Sequence, residues 1–195
     1  MADTLLHRVP EATMTPQLRA SREATLRLSG DATIIEVFAN SKAASTLLFE
    51  DFYQKVFFGG EVDRRYKELI RLRLSKLHGC FFCNRNNEAG ALEVGFTPAQ
   101  IDAIGGDAVA DFTPAESAVL ALADELALTN MGGRLDAELY TQLKACFTDG
   151  QIMELGTVGG VLGGMNKLSF VFDLVEREPY CPFSLVANGT GVLVG

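Results

Sequence analysis

From Ile34 to about Val175 the apolar residues recur at three- and four-residue steps, and nowhere in that stretch do they keep up an alternation. Steps of three and four gather side chains on one face of a helix, whereas a half-buried strand needs a period of two. A chain patterned this way has to build its core from helices alone. The expected class is all-α, with roughly six to eight short helices joined by short connections. The 195 residues fit one domain better than two. With 48% hydrophobic and 22% charged residues the composition is ordinary for a globular protein.

Stop and start signals divide the pattern. Phe38, Leu47, Leu48, Phe52, Val56 and Phe57 share helical spacing, and Gly59-Gly60 ends that run. Asp63 is placed to cap a helix carrying Tyr66, Leu69, Ile70, Leu74 and Leu77, which Gly79 breaks. The next helix runs from about Cys80 to Val94 and stops at Gly95. Thr97-Pro98 and Thr113-Pro114 each put threonine at an N-cap and proline at the first helical position, and Gln100 and Glu116 complete capping boxes. Asp136 opens a shorter helix, and Thr148 with Gln151 starts a long one reaching about Val175. The expected organisation is an arm over residues 1–32 with one short helix near Thr15 to Leu28, a helical domain over 33–178, and an extended tail over 179–195.

Charge and histidine content narrow the chemistry. Seventeen basic against 25 acidic residues leave −8, a field that repels phosphate and makes nucleic acid and anionic membrane poor partners. His7 and His78 are the only histidines, too few for a three-histidine metal site. Asn166, Lys167 and Asp173 interrupt the most membrane-like stretch, Leu155 to Val175, so no span is expected there. Asp3 and Arg8 lie within the first twenty residues, which hold no continuous apolar run, so no signal peptide is read. A cytoplasmic protein is expected, in which four cysteines would not serve as structural bridges.

The segment from Lys67 to Asn87 holds the one Cys-x-x-Cys, Cys80 and Cys83. Three-residue spacing on a helix puts both sulfurs on one face, at a Cα separation of roughly 5–6 Å that suits a disulfide. A cysteine opening a helix meets unpaired N–H groups and the positive end of the dipole, both of which favour a thiolate. These features suit a cycling redox pair. Plain core cysteines are another reading. Zinc would want four ligands, and Cys146 and Cys181 are isolated. A thioredoxin-like site would need a βαβ setting. Cys80, Cys83, Asn84, Asn87 and Ala91 follow one helix face, so buried amides there would line a small polar pocket walled by Phe81 and Phe82. The alternative is a solvated turn from Asn84 to Glu88.

Three further features have plain structural readings. His78 suits a capping or surface position near a helix C-terminus. Gly156, Gly160 and Gly164 share a face across which another helix can approach closely. Arg64, Arg65, Lys67, Arg71, Arg73 and Lys76 form a basic series that is either salt-bridged or available to an anionic substrate or a subunit.

Glu68, twelve residues before the Cys-x-x-Cys in a Leu/Arg-rich helix, together with the Gly79 break, the Phe-Thr-Pro-Ala-Glu start at 112–116 and the Asn166-Lys167-Leu168 stretch, resembles the AhpD-like branch of the carboxymuconolactone decarboxylase family. The resemblance covers about residues 40–175. It implies an all-α AhpD-like fold with the Cys-x-x-Cys at the start of a central helix, and a homo-oligomer with sites near subunit contacts. It implies a thiol-dependent peroxidase reducing small hydroperoxides, with no metal and no tightly bound cofactor. Cys83 would attack peroxide, Cys80 would resolve the sulfenic acid, and a lipoyl or thioredoxin-like dithiol would restore the pair. Glu68 would belong to the proton relay. The family's active peroxidases carry a histidine four residues after the second cysteine, where this chain has Asn87, which hydrogen-bonds but carries no proton. An antiparallel hairpin folded at Gly79 sets Glu68 opposite about residue 90, within a turn of Asn87, and leaves His78 as the nearby imidazole. The other readings are a carboxymuconolactone-decarboxylase-like lyase and a non-catalytic redox-sensing oligomer.

Overall fold

A computed structural model describes residues 2–106 and 111–183, so most of the tail expected over 179–195 lies outside the described residues. A 3-10 turn (Glu11–Thr13) precedes α1 (Pro16–Ser29), α2 (Thr33–Phe38) and α3 (Lys42–Ser45). The chain then runs on as a π-helix (Thr46–Phe57), followed by α4 (Arg64–His78), α5 (Phe81–Glu93) and α6 (Pro98–Gly105). α7 (Pro114–Glu125), α8 (Ala137–Lys144) and α9 (Asp149–Val171) complete the order. No strand forms among the described residues; one isolated bridge pairs Cys80 with Arg177.

α4 is the axis of the molecule. Leu69, Ile70, Leu72 and Leu74 are fully buried, and α5, α6, α7 and α9 pack around them. Asp63 caps the helix by accepting the Arg65 N–H at 2.7 Å. Gly79 ends it at φ +64°, and a Cβ there would run into the Cys181 backbone. Only glycine meets both demands. The chain reverses at that point, and α5 returns along α4 as an antiparallel hairpin.

Every cation of the basic series is paired. Arg64 and Arg71 hold Glu68, Arg65 holds Glu116, Arg73 holds Asp124 and Lys76 holds Glu88. Lys67, fully buried, pairs with Glu154 of α9 at 2.6 Å and donates to the Val56 and Gly59 carbonyls. This series therefore pins helices together, and of its members Arg71 also lines the cavity described below.

Three expectations need correction. The run from Ile34 to Phe58 is not one helix: it breaks at Asn40, and Ser41 recaps it by accepting the Ala44 N–H. The last helix stops at Val171, because Asp173 turns to φ +48° and folds Leu174 and Val175 back into the core. Gly156, Gly160 and Gly164 face open space within this chain, and the close approach is made by Gly159, against Leu126 and Ile70.

Candidate active site

Cys80 and Cys83 form a disulfide with a Cα separation of 5.2 Å. Cys80 is the N-cap of α5, and its Sγ accepts the Cys83 N–H at 3.2 Å. Cys80 is fully buried, while Cys83 opens on a cavity of about 390 Å³. That size suits a small organic molecule.

Six helices line the cavity, with Ile34 and Ile35 from α2 and Arg71 from α4. α1 supplies Ser21, Ala24 and Thr25; α5 supplies Phe82, Asn86 and Asn87; α9 supplies Met165 and Asn166. The remaining wall comes from the π-helix. Its i→i+5 bonding, seen in Phe58 N–H to Tyr53 O at 2.8 Å, stacks residues five apart, so Leu48, Tyr53 and Phe58 fall in one row on the cavity. In an α-helix those three would point in different directions. The lining is thus largely apolar and aromatic, with a polar patch around Cys83. This departs from the small polar pocket expected from the sequence. Phe82 and Asn87 line the cavity as expected, but Asn84 does not: its Nδ2 donates to Glu178 and Tyr180. Phe81 stacks under Arg85 instead.

Glu68 is fully buried, and its carboxylate lies directly beneath Gly90, where any Cβ would collide with it and with Arg71. Arg64 Nε reaches Glu68 Oε1 at 3.0 Å and Arg71 Nη2 reaches Oε2 at 2.5 Å. Asn87 is nearly buried and donates to the Arg71 carbonyl at 3.1 Å. Among the described residues no hydrogen bond joins Glu68 to Asn87, or Asn87 to Cys83. Arg71 links the two regions: it pairs with Glu68, lies 4.9 Å over the Phe57 ring and lines the cavity. Burial raises the pKa of the Tyr53 hydroxyl, with Arg71 pulling the other way.

His78 is not a surface histidine. It is fully buried behind the cysteines, where Nε2 accepts the Leu128 N–H at 2.9 Å and Nδ1 lies 2.9 Å from the Asn166 amide. The α4 hairpin carries it inward, and residues 170–183 cover it, with the Phe183 ring 5.8 Å away. Asn166 in turn places Oδ1 3.4 Å from Cys83 Sγ. Asn166 is the site residue that residue-by-residue chemistry failed to assign. The available signal was an amide in the middle of the apolar α9, since a buried amide demands partners.

Burial depresses His78 to about 4. An unfolded histidine near 6.5 takes up a proton that the folded one refuses, so its stability contribution is whole above 6.5 and is lost as pH falls toward 4. By pH 5 the loss is about 2 kcal/mol. Urea unfolding at pH 7 and pH 5 should show a drop that much larger in wild type than in His78→Gln. Equal drops would show that another group titrates.

Residues 44–125 match the carboxymuconolactone decarboxylase family. The uncharacterized protein YdfG of Bacillus subtilis (strain 168) is 28% identical over 109 residues, which are 55% of this chain and 74% of YdfG. Three solved structures share the fold. A protein of unknown function from Agrobacterium tumefaciens, described as a putative antioxidant defence protein AhpD, matches with TM-score 0.58 at 20% identity over 72% of this chain and 92% of its own. The alkylhydroperoxidase AhpD core of a peroxidase-related protein from Ralstonia eutropha JMP134 matches at 0.68 and 16%, over 89% and 92%. The debrominase Bmp8, with 2,3,4-tribromopyrrole bound to a cysteine-to-alanine variant, matches at 0.69 and 18%, over 91% and 93%. At these identities the solved structures speak for the fold. Among the described residues no helix is long and apolar enough to cross a membrane.

Proposed function

We propose that this chain, whose residues 44–125 match the carboxymuconolactone decarboxylase family and whose fold is AhpD-like, is a thiol-dependent peroxidase acting on small organic hydroperoxides. One observation carries the reading: a Cys80–Cys83 disulfide at a helix N-terminus, with Cys83 facing a partly open, largely apolar cavity. In the reduced protein the positive end of the α5 dipole favours a thiolate in the first turn, where Cys83 lies, while the Cys83 N–H is directed at Cys80 Sγ. The thiolate attacks the terminal hydroperoxide oxygen, the O–O bond breaks, and the alkoxide leaves as an alcohol after taking a proton from water. Cys83 is left as a sulfenic acid. The Cys80 thiol attacks its sulfur, water departs and the disulfide closes. A lipoyl or thioredoxin-like dithiol then exchanges with the disulfide, leaving as a disulfide itself and returning both thiols.

The apolar walls favour a carbon-bearing hydroperoxide over hydrogen peroxide, because burial of its organic part contributes to binding. A second reading uses the same pair to reduce a small halogenated ring. The aromatic lining of Phe49, Tyr53, Phe58 and Phe82 favours it, as does the fold shared with a debrominase. An anion-binding lyase has less support, since the cation of α4 that lines the cavity, Arg71, is already paired with Glu68.

The test follows loss of cumene hydroperoxide with a dithiol donor. Wild type should turn over, and Cys83→Ser should fall to the uncatalysed rate. Cys80→Ser should complete one turnover and then hold a sulfenic acid on Cys83 that dimedone traps. A wild type that leaves peroxide untouched but releases bromide from a bromopyrrole would favour the second reading. No reaction with either would remove both.

A further inference from the structure

The contact between α4, α5 and α9 at His78, Cys83 and Asn166 contains a proton-counting conflict. The Leu128 N–H points at His78 Nε2, so that nitrogen is an acceptor and bears no proton. A neutral imidazole carries one N–H, which must then sit on Nδ1. An imidazolium is excluded as well, since it would set an Nε2–H against the Leu128 N–H; the buried ring's depressed pKa agrees. Nδ1 is therefore a donor. Yet the Asn166 atom 2.9 Å from it is Nδ2, also a donor. The other end of the amide is equally mismatched: Oδ1 faces Cys83 Sγ at 3.4 Å, and a disulfide sulfur has no hydrogen to give. Half a turn of the amide removes both faults. Oδ1 then accepts from His78 Nδ1–H, and Nδ2–H donates to Cys83 Sγ, in the same space and at the same separations.

We propose that Asn166 is a further catalytic residue, donating an amide N–H to the Cys83 thiolate, and that His78 is the positioning residue that holds the amide this way round. The proposal deepens the thiol-peroxidase reading and rests on it for the word catalytic. Its geometric content, a donor aimed at Cys83, stands whatever substrate the cavity takes. Both residues suit fixed orientation: Asn166 is 7% exposed and His78 is fully buried. His78 moves no proton in this arrangement. It acts as an acceptor for Leu128 and a donor to Asn166, so the amide has a single satisfied orientation. The consequence for sulfur is directional. An amide N–H stabilises the thiolate, whereas an amide oxygen would stabilise the thiol and raise its pKa. The charged group facing the same cavity is Arg71, paired with Glu68 and untouched by the variants below.

Two measurements test this without any peroxide. Nitrogen-15 NMR of oxidised wild type at pH 7, with His7 identified by His7→Gln, should show His78 protonated at Nδ1 and bare at Nε2. Secondly, alkylation of reduced protein by iodoacetamide is followed against pH in a Cys80→Ser background, with modification at Cys83 read by mass spectrometry. Asn166→Leu removes the donor to sulfur without adding a charge. It should raise the Cys83 pKa by about one unit or more, an approximately tenfold slower alkylation below that pKa. Asn166→Asp keeps the size and the acceptor for His78 but sets a carboxylate against sulfur, and should raise it further. A His78 found protonated at Nε2, or an Asn166→Leu profile that superimposes on wild type or shifts downward, overturns the proposal. If the variants fail to fold, the tautomer alone decides. Absence of peroxide turnover would sink the functional reading and leave both readouts standing.

Discussion

Asn87→His is expected to raise turnover of cumene hydroperoxide by about 10²-fold at pH 7, the lower end of what a positioned acid–base group contributes. Asn87 lines the cavity one helical turn beyond Cys83, and its Nδ2 donates to the Arg71 carbonyl at 3.1 Å. An imidazole in the same rotamer offers Nδ1–H to that carbonyl and leaves Nε2 facing the cavity as an acceptor. It can then take the proton of Cys83 and return it to the departing alkoxide, a task the amide cannot perform. The gain should come with a new limb in the pH profile of kcat and should vanish in the double variant with Cys83→Ser. The measurement is steady-state kinetics with a dithiol donor from pH 5 to 9. An unchanged rate would show that proton delivery is not what limits the wild type. A gain that survives loss of Cys83 would show that the imidazole reacts by itself.

Glu154→Ala should destabilise the fold by about 3–5 kcal/mol, the cost of leaving a buried charge without its partner. Lys67 is fully buried, and Glu154 Oε1 lies 2.6 Å from its Nζ. The same carboxylate accepts the Glu61 and Val62 N–H groups, tying α9 to the turn before α4. Burial by itself would raise the Glu154 pKa; Lys67 and the two backbone donors outweigh it and bring it below the usual carboxylate value. Its stabilising share is therefore present above the unfolded pKa and is lost as pH falls through the depressed one. Replacing both partners, Lys67→Met with Glu154→Leu, should recover much of the loss, because neither charge is then stranded. Urea denaturation of the two single variants and the double variant closes the cycle. A Glu154→Ala cost below about 1 kcal/mol, the range of an exposed pair, would mean that water reaches Lys67.

Much of this molecule could be read from punctuation. Thr97, Thr113 and Thr148 sit in the capping boxes that the sequence announces, because these signals are local and need no partner helix. The α4–α5 hairpin was equally legible, since a single glycine fixes the reversal and residue counting then sets Glu68 opposite Gly90. Elements that depend on distant chain were not legible. The π-winding of 46–57 uses residues an α-helix would also accept, so its wall of Leu48, Tyr53 and Phe58 has no sequence signature. Asn84 and Asn87 share a helix face, yet one bonds to the chain after α9 and the other to α4. His78 has the local setting of a capping histidine, and it is distant chain, Leu128, Asn166 and the return of residues 170–183, that buries it.

The position of α1 has a consequence for how such a protein can change. Residues 44–125 carry the family match, and they hold both cysteines, Glu68, Arg71 and the π-helix. Ser21, Ala24 and Thr25 lie outside that stretch, and they close the cavity from a helix that precedes it. One part of the surface that judges a substrate's shape thus sits on a length of chain separable from the reacting sulfur. Substitutions along this face of α1 can redraw the admissible outline of a substrate while the thiol chemistry keeps its electrostatics. Selection can adjust that wall without touching what reacts, and a chimaera that exchanges residues 16–29 alone would shift substrate preference while retaining the redox pair.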